Sequence, residues 1–576
     1  MASATRVQRD RLANRRIRLL GIAFTLVFVA AFARAVWMQG VNGTAYESLA
    51  QKQQIERIEL PAGRGAILDR NAEPLAIGQQ ATTVYADPRA VVDKAAAAKA
   101  IDATLGLDAN EVYGLLEDSK ASFVYIQRKA DPFKAAELEK LGIKGLGFYG
   151  EERRAYPQGR VGAHVIGFAG TDNEGLEGIE RSFDSKLSGR PGFETIIRDP
   201  AGQTLDVIRS RAERPGTSVT LSLDHQIQSK TEHVLATAAR RWGALGATAI
   251  VMDTRTGAIL AMANAPVFNA NKYAETRADI RRNRAVTDQY EPGSTFKIVT
   301  IAAALEEGVV QPSTSFVLKP TIQVADRVIR EAHTRGTERL TVREILSQSS
   351  NVGTVTVAQE LGSGELAAWI ERFGFGKKTG LGFPGESAGS VLPLEKWYGS
   401  TIGTVPIGQG IAVTPMQMVL SYATIGNGGV MPQPRLVERV GGHRIKLAPG
   451  RRIVSQTTAN RMMAMFRDVV VEGTGTGAAI PGYTVAGKTG TALKAENGVY
   501  VRKYVASFVG LVPAKRPRLA VLVMVDEPKG QIFGGEVAAP IFRDIARFTL
   551  QYLEVPPDVP QTREDALVAA GSQRGA

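Results

Sequence analysis

The chain has 576 residues, 44% of them hydrophobic and 22% charged, a composition that folds and a length that needs more than one core. Its formal charge of +13 points to anionic surroundings, but no aromatic-plus-basic module or phosphate-cradling glycine loop accompanies it, which argues against nucleic-acid binding. The absence of cysteine rules out disulfides, thiolate metal sites and a cysteine nucleophile, and five scattered histidines imply neither metal nor cofactor.

Residues 1–18 carry Arg6, Arg9, Arg11, Arg15, Arg16 and Arg18 against the single acid Asp10. The run over 19–38, LLGIAFTLVFVAAFARAVWM, has the length of about 20 residues that crosses a bilayer, with Arg34 placed to snorkel and Trp37 at the interface. The basic flank predicts a cytoplasmic tail over 1–18, a single-pass anchor over 19–38 in the cytoplasmic (inner) membrane, and an extracytoplasmic, periplasmic body. Ala31, Phe32 and Ala33 also form a cleavable-signal pattern, which would export the same body without keeping the anchor.

A first region over 39–215 begins with a polar, helix-like stretch, YESLAQKQQIERIEL. Short strands follow around AGRGAILDRNAEPLAIG and VYADPRAV, then the alanine-rich helix VVDKAAAAKAIDATLGL, the strand SFVYIQRKA and the capped helix DPFKAAELEKLGI. The break ERPGTS separates this region from a second one over 216–555. There the strand SVTLSL and the helix DHQIQSKTEHVLATAARRW precede a hairpin turning at Thr256 and Gly257. A late hairpin turns over 514–517. Strands at both ends with long helices between them imply an α+β domain. Residues 556–576 read as a disordered tail rich in proline, glycine and charge.

The chemistry concentrates in EPGSTFKIVTIAAALEEG, where a helix is expected from Ser294 to Glu307, stopping at Gly308. Ser294 and Lys297 stand at i and i+3 and face one side. A serine hydroxyl is a weak nucleophile until a base takes its proton, and a lysine serves once burial and neighbouring charge lower its pKa. Ser349, Ser350 and Asn351 open a second helix, where Ser349 offers a hydroxyl for proton relay and Asn351 an amide for the Lys297 ammonium and the substrate. Lys488, Thr489 and Gly490 lie in a strand, YTVAGKTGTAL, whose glycines let a ligand approach the backbone. The other Lys-Thr-Gly, at Lys378, Thr379 and Gly380, reads as a turn.

Taken in order, these three motifs resemble the signature of the active-serine penicillin-recognising enzymes. Arg64, Gly65, Ile67, Asp69, Arg70 and Asn71, then Arg154, Tyr156 and Pro157, then Gly178, Ile179 and Glu180 resemble the pedestal of class B penicillin-binding proteins of the division type. The resemblance implies a serine β-lactamase/transpeptidase-like domain, an antiparallel sheet with helices on both faces, behind a mixed α/β pedestal and one transmembrane helix. It implies a peptidoglycan D,D-transpeptidase: Ser294 attacks the D-Ala-D-Ala carbonyl of a stem peptide, D-alanine leaves, and an amine from another stem resolves the acyl-enzyme. By the same resemblance Lys488 and Thr489 bind the terminal carboxylate, Ser294 and Thr491 supply oxyanion N–H groups, and β-lactam antibiotics inhibit. The implied partners are an FtsW-type glycosyltransferase and other division proteins at the septum. An elongation-type enzyme, a β-lactam-hydrolysing or sensing protein, and an idle scaffold are the alternatives. Two departures from the family pattern stand out: Ile407, Gly408, Gln409 and Gly410 replace a segment with an aromatic, and Ile532 and Phe533 precede Gly534 and Gly535 in place of a tyrosine-aromatic pair.

Overall fold

The computed structural model describes residues 2–38, 55–118, 120–198, 204–496 and 498–559. They fall into two compact units, one of Met1–Ala62 with Arg190–Arg214, the other of Gly63–Gly189 with Pro215–Ala576.

In the first unit a helix runs over Ala2–Val36, and its stretch Asn14–Val36 is long and apolar enough to cross a membrane and is not covered by protein. It is the one such helix among the described residues, as the expected single-pass anchor requires. The unit also holds a three-stranded sheet in which Ile55–Leu60 and Thr204–Arg211 flank Gly192–Arg198. Residues 55–60 are therefore strand where a helix was expected, because their pairing partner lies far along the chain, as in Ile55 opposite Ile197. Residues 46–54 of that stretch lie outside the described residues.

The second unit begins with a sheet built around the long strand Pro74–Ala86, which pairs with both Val124–Ala130 and Leu146–Ala155. Helices Lys94–Leu105 and Pro132–Lys140, capped by Asp93 and Asp131, cover it over a small core of their own. The same sheet continues through Ile67–Leu68 and Val219–Leu221 to Val437–Val440. Buried charges pin this junction: Glu180 accepts from Arg64 Nε at 2.7 Å and from Arg154 Nε at 2.6 Å. Asp69, Asp224 and His225 also converge, but Asp69 is engaged by the His225 ring and the N–H groups of Asn71 and Glu73, and Asp224 caps the following helix. These hydrogen bonds account for the cluster without an ion.

Beyond the junction come α1 (His225–Arg241), β1 (Gly246–Asp253), β2 (Ile259–Ala265), α2 (Lys297–Glu306), β3 (Thr321–Val324), β4 (Arg327–Arg330), α3 (Asn351–Leu361), α4 (Pro415–Gly426), α5 (Gln456–Val471), β5 (Ala486–Glu496), β6 (Val499–Val512), β7 (Leu519–Asp526) and α6 (Gly534–Tyr552). The antiparallel sheet has the order β2-β1-β7-β6-β5. β1, β2 and β7 are buried on both faces nearly throughout and are mostly apolar for that reason. Ala247, Ala249 and Val251 pack against α1 and α6, whereas Ile250 and Met252 join a larger core with α2, α4 and α5. The α+β architecture with helices on both faces is the expected one. Within the tail expected over 556–576, Asp558 accepts from Thr484 N at 2.7 Å; 560–576 lie outside the described residues.

Candidate active site

The Ser294 segment is wound more tightly than its sequence predicts. Gly293–Phe296 form a 3₁₀ turn and the α-helix starts only at Lys297. In 3₁₀ winding side chains at i and i+3 eclipse, which aligns Ser294 with Lys297. Gly293 takes a left-handed φ of 54° and donates its N–H to Gly408 O at 3.1 Å. A Cβ at Gly408 would overlap the Gly293 backbone, so the glycine at 408 is what lets the two backbones touch.

Lys297 is wholly buried. Its Nζ donates to Ser349 O at 2.7 Å, Ser350 O at 3.1 Å and Asn351 Oδ1 at 2.9 Å, and lies 3.4 Å from Ser349 Oγ. Burial, then the charge of Lys488, pulls its pKa well below the ordinary lysine range. Ser349 Oγ stands 3.0 Å from Ser294 Oγ, so its hydroxyl lies between the Ser294 hydroxyl and the Lys297 amine. Ser349 occupies a left-handed backbone at φ 59°, unusual for a residue with a side chain and characteristic of functional sites.

Ser350 caps α3, accepting from Gly353 N at 2.9 Å, and donates to Glu331 Oε1 at 2.5 Å. Asn351 N donates to the other oxygen of Glu331 at 2.8 Å, and Asn351 Nδ2 to Arg330 O at 3.1 Å. With Nδ2 so engaged, the amide oxygen is the atom that faces Lys297.

The Lys-Thr-Gly segment lies on β5, the edge of the sheet, where alternate N–H groups are left free for a ligand. The strand runs beside the Ser294 turn: a Cβ on Gly293 would come 3.2 Å from Thr491 O, and one on Gly490 3.0 Å from Thr295 Cγ2. Lys488 is fully buried, with no acidic partner among the described residues, its Nζ reaching Thr489 O and Oγ1 at 3.3 Å each. Burial brings its pKa down to about 7. Thr489 Oγ1 meets Thr474 Oγ1 at 2.6 Å, and Gly534 N, at the start of α6, donates to Thr491 Oγ1 at 3.1 Å. The second Lys-Thr-Gly does sit in a loop, with Thr379 N bound to Glu386 at 2.7 Å.

The structure thus brings Ser294, Lys297, Ser349 and Asn351 into one hydrogen-bonded chain and lays Lys488, Thr489, Gly490 and Thr491 alongside. Sequence reasoning missed Glu331, Thr474 and the Gly534 contact. None belongs to a local pattern, since each meets the site through the fold alone.

Comparison with known proteins identifies the family. Residues 247–547 match the penicillin binding protein transpeptidase domain, and 59–221 the penicillin-binding protein dimerisation domain. A probable peptidoglycan D,D-transpeptidase PenA of Neisseria meningitidis is 33% identical over 565 residues, 96% of each chain. The peptidoglycan D,D-transpeptidase FtsI of Escherichia coli is 33% identical over 549 residues, 94% of this chain and 91% of its own. Penicillin binding protein 3 from Mycobacterium tuberculosis, solved in complex with aztreonam, superposes with a TM-score of 0.69 at 30% identity, over 88% of this chain and all of that one. With a dimerisation domain ahead of a transpeptidase domain and relatives aligned along nearly its whole length, the chain belongs to the class B penicillin-binding proteins, the serine-type transpeptidases of peptidoglycan.

Proposed function

We propose that Ser294 is the nucleophile of a peptidoglycan D,D-transpeptidase that cross-links stem peptides in the septal wall during cell division. The observation that carries the site assignment is Ser349 Oγ, placed 3.0 Å from Ser294 Oγ and 3.4 Å from Lys297 Nζ. Hydroxyl protons rotate, so with Lys297 neutral the chain runs Ser294 to Ser349 to Lys297 and draws the proton off Ser294 as its oxygen attacks the D-Ala-D-Ala carbonyl. D-Alanine takes the proton back as it leaves, and an amine of a second stem then displaces Ser294 from the acyl-enzyme. Asn351 orients Lys297 and the substrate. Lys488 and Thr489 receive the terminal carboxylate beside the free edge of β5, and the N–H groups of Ser294 and Thr491 hold the developing oxyanion.

β-Lactams acylate the same serine. The two carboxylates closest along the chain or through bonds to these motifs, Glu331 and Glu291, are both engaged by donors, which supports a long-lived acyl-enzyme over antibiotic hydrolysis. The arginine-rich flank of the anchor supports a cytoplasmic N-terminus and an extracytoplasmic, periplasmic catalytic domain, with pedestal over 39–215 and catalytic domain over 216–555. Likeness to FtsI supports the septal role and an FtsW-type glycosyltransferase, with other division proteins, as partners. Depletion of the protein tests the role: filaments are expected, and round cells would assign it to elongation.

A further inference from the structure

The acid nearest the proton path is one the transpeptidation scheme leaves unused. Glu331 directly follows the β3–β4 hairpin, in which Thr321 pairs with Arg330 and Val324 with Arg327. The hairpin is seated by Val324 and Ile329, which pack with Val355 of α3 and Ile407. Its end is therefore fixed against the helix that starts at the serine motif. Both Glu331 oxygens are spent there, Oε1 on Ser350 Oγ at 2.5 Å and Oε2 on Asn351 N at 2.8 Å.

We propose that Glu331 is a positioning residue for acylation, which holds the Ser349, Ser350, Asn351 turn on Lys297 through the Ser350 hydroxyl and the Asn351 N–H. The proposal rests on the assignment of Ser294 and Lys297 above. A left-handed non-glycine residue persists only where its surroundings over-determine it. Ser349 is followed by two residues that are each tied to the same carboxylate, which supplies that constraint. The backbone of the neighbouring Arg330 fixes the Asn351 amide, so the hairpin sets both the turn and the direction of its side chain.

The charge acts alongside the geometry. The charged groups that face Lys297 are Lys488 from β5 and Glu331 and Arg335 from the segment after β4. The two cations lower the pKa of Lys297 and Glu331 raises it, so the carboxylate keeps a buried amine basic enough to accept a proton. It also explains the serine between Ser349 and Asn351. An aspartate at 350 would set a second carboxylate against Glu331 in the place of a donor, and like charges in one site repel.

The test is the rate of acylation by labelled penicillin as a function of pH, on the full-length detergent-solubilised protein, for Glu331→Gln and Glu331→Ala. Glutamine keeps the shape and an acceptor for Ser350 but loses the charge. The plateau rate is expected to fall about tenfold or more, since a hydrogen bond to a charged group is worth about a factor of ten, and the acid limb to move to lower pH as Lys297 loses its counter-charge. Ser350→Asp should impair acylation in the parent and be partly rescued by Glu331→Gln. A Glu331→Gln profile that overlays the parent, or one whose plateau drops while its acid limb stays in place, overturns the proposal. Should Glu331→Ala fail to fold, the glutamine profile still decides. Labelling that survives Ser294→Ala would instead overturn the nucleophile assignment beneath it.

Discussion

Replacing Ser349 by alanine removes the hydroxyl that lies 3.0 Å from Ser294 Oγ and 3.4 Å from Lys297 Nζ. Among the described residues no direct hydrogen bond joins Lys297 to Ser294, so in the proposed mechanism base assistance passes through this one atom. General base catalysis contributes about 10²–10⁴ in rate, and acylation by labelled penicillin should fall by at least about 10². The fold should barely notice. The substitution leaves the left-handed backbone as it is and forfeits neutral hydroxyl contacts worth about 1 kcal/mol, a shift in Tm of about 2–4 °C. Lys297→Ala interrupts the same path, so the double variant should be no slower than the slower single one, the non-additivity of groups that act as a unit. Stopped-flow acylation of the four proteins measures this directly. A Ser349→Ala protein that acylates at the parental rate while Lys297→Ala does not would refute the relay and leave Lys297 acting on Ser294 unaided.

Gly534→Ala should slow acylation and lower Tm, because a Cβ there overlaps the backbone of Gly490 and Ser507 and must push α6 off the Lys-Thr-Gly strand, at about 1–3 kcal/mol; thermal melting and penicillin labelling report both. Lys488 must be protonated to hold a carboxylate, and burial sets its pKa at about 7 in the free site, so KM for carboxylate-bearing substrates should rise as pH increases through about 7, in steady-state kinetics across pH, and Lys488→Arg should flatten that rise. Glu291 accepts from Gly410 N at 2.9 Å and from the Tyr500 hydroxyl at 3.0 Å, bridging the 407–410 segment to the β5–β6 hairpin. Tyr500→Phe should therefore leave unfolding stability within about 1 kcal/mol of the parent and raise protease sensitivity at that hairpin.

Local signals carried much of this structure. The i, i+3 spacing put Ser294 and Lys297 on one side, Ser350 could be read as a helix start, and glycines around Lys488 and Thr489 marked a strand open to a ligand. The hairpins at Thr256 and over 514–517 also needed only neighbours in sequence. What escaped depends on distant partners. Ile55–Leu60 is a strand because Gly192–Arg198 pairs with it, and the short strands read near VYADPRAV merge into the 13-residue Pro74–Ala86 because two partners extend it. Glu331 reaches Ser350 from 19 residues upstream, at the end of a hairpin whose sequence carries no sign of the site. The 3₁₀ winding at Ser294 has no periodic signature over four residues and follows from the contact of Gly293 with Gly408.

The central claim is that Ser294 carries the acyl group. Labelled penicillin incubated with the full-length protein should remain bound through denaturing electrophoresis, map by mass spectrometry to the peptide that contains Ser294, and vanish in Ser294→Ala at unchanged Tm. Covalent label on Ser294→Ala at the parental rate would contradict it.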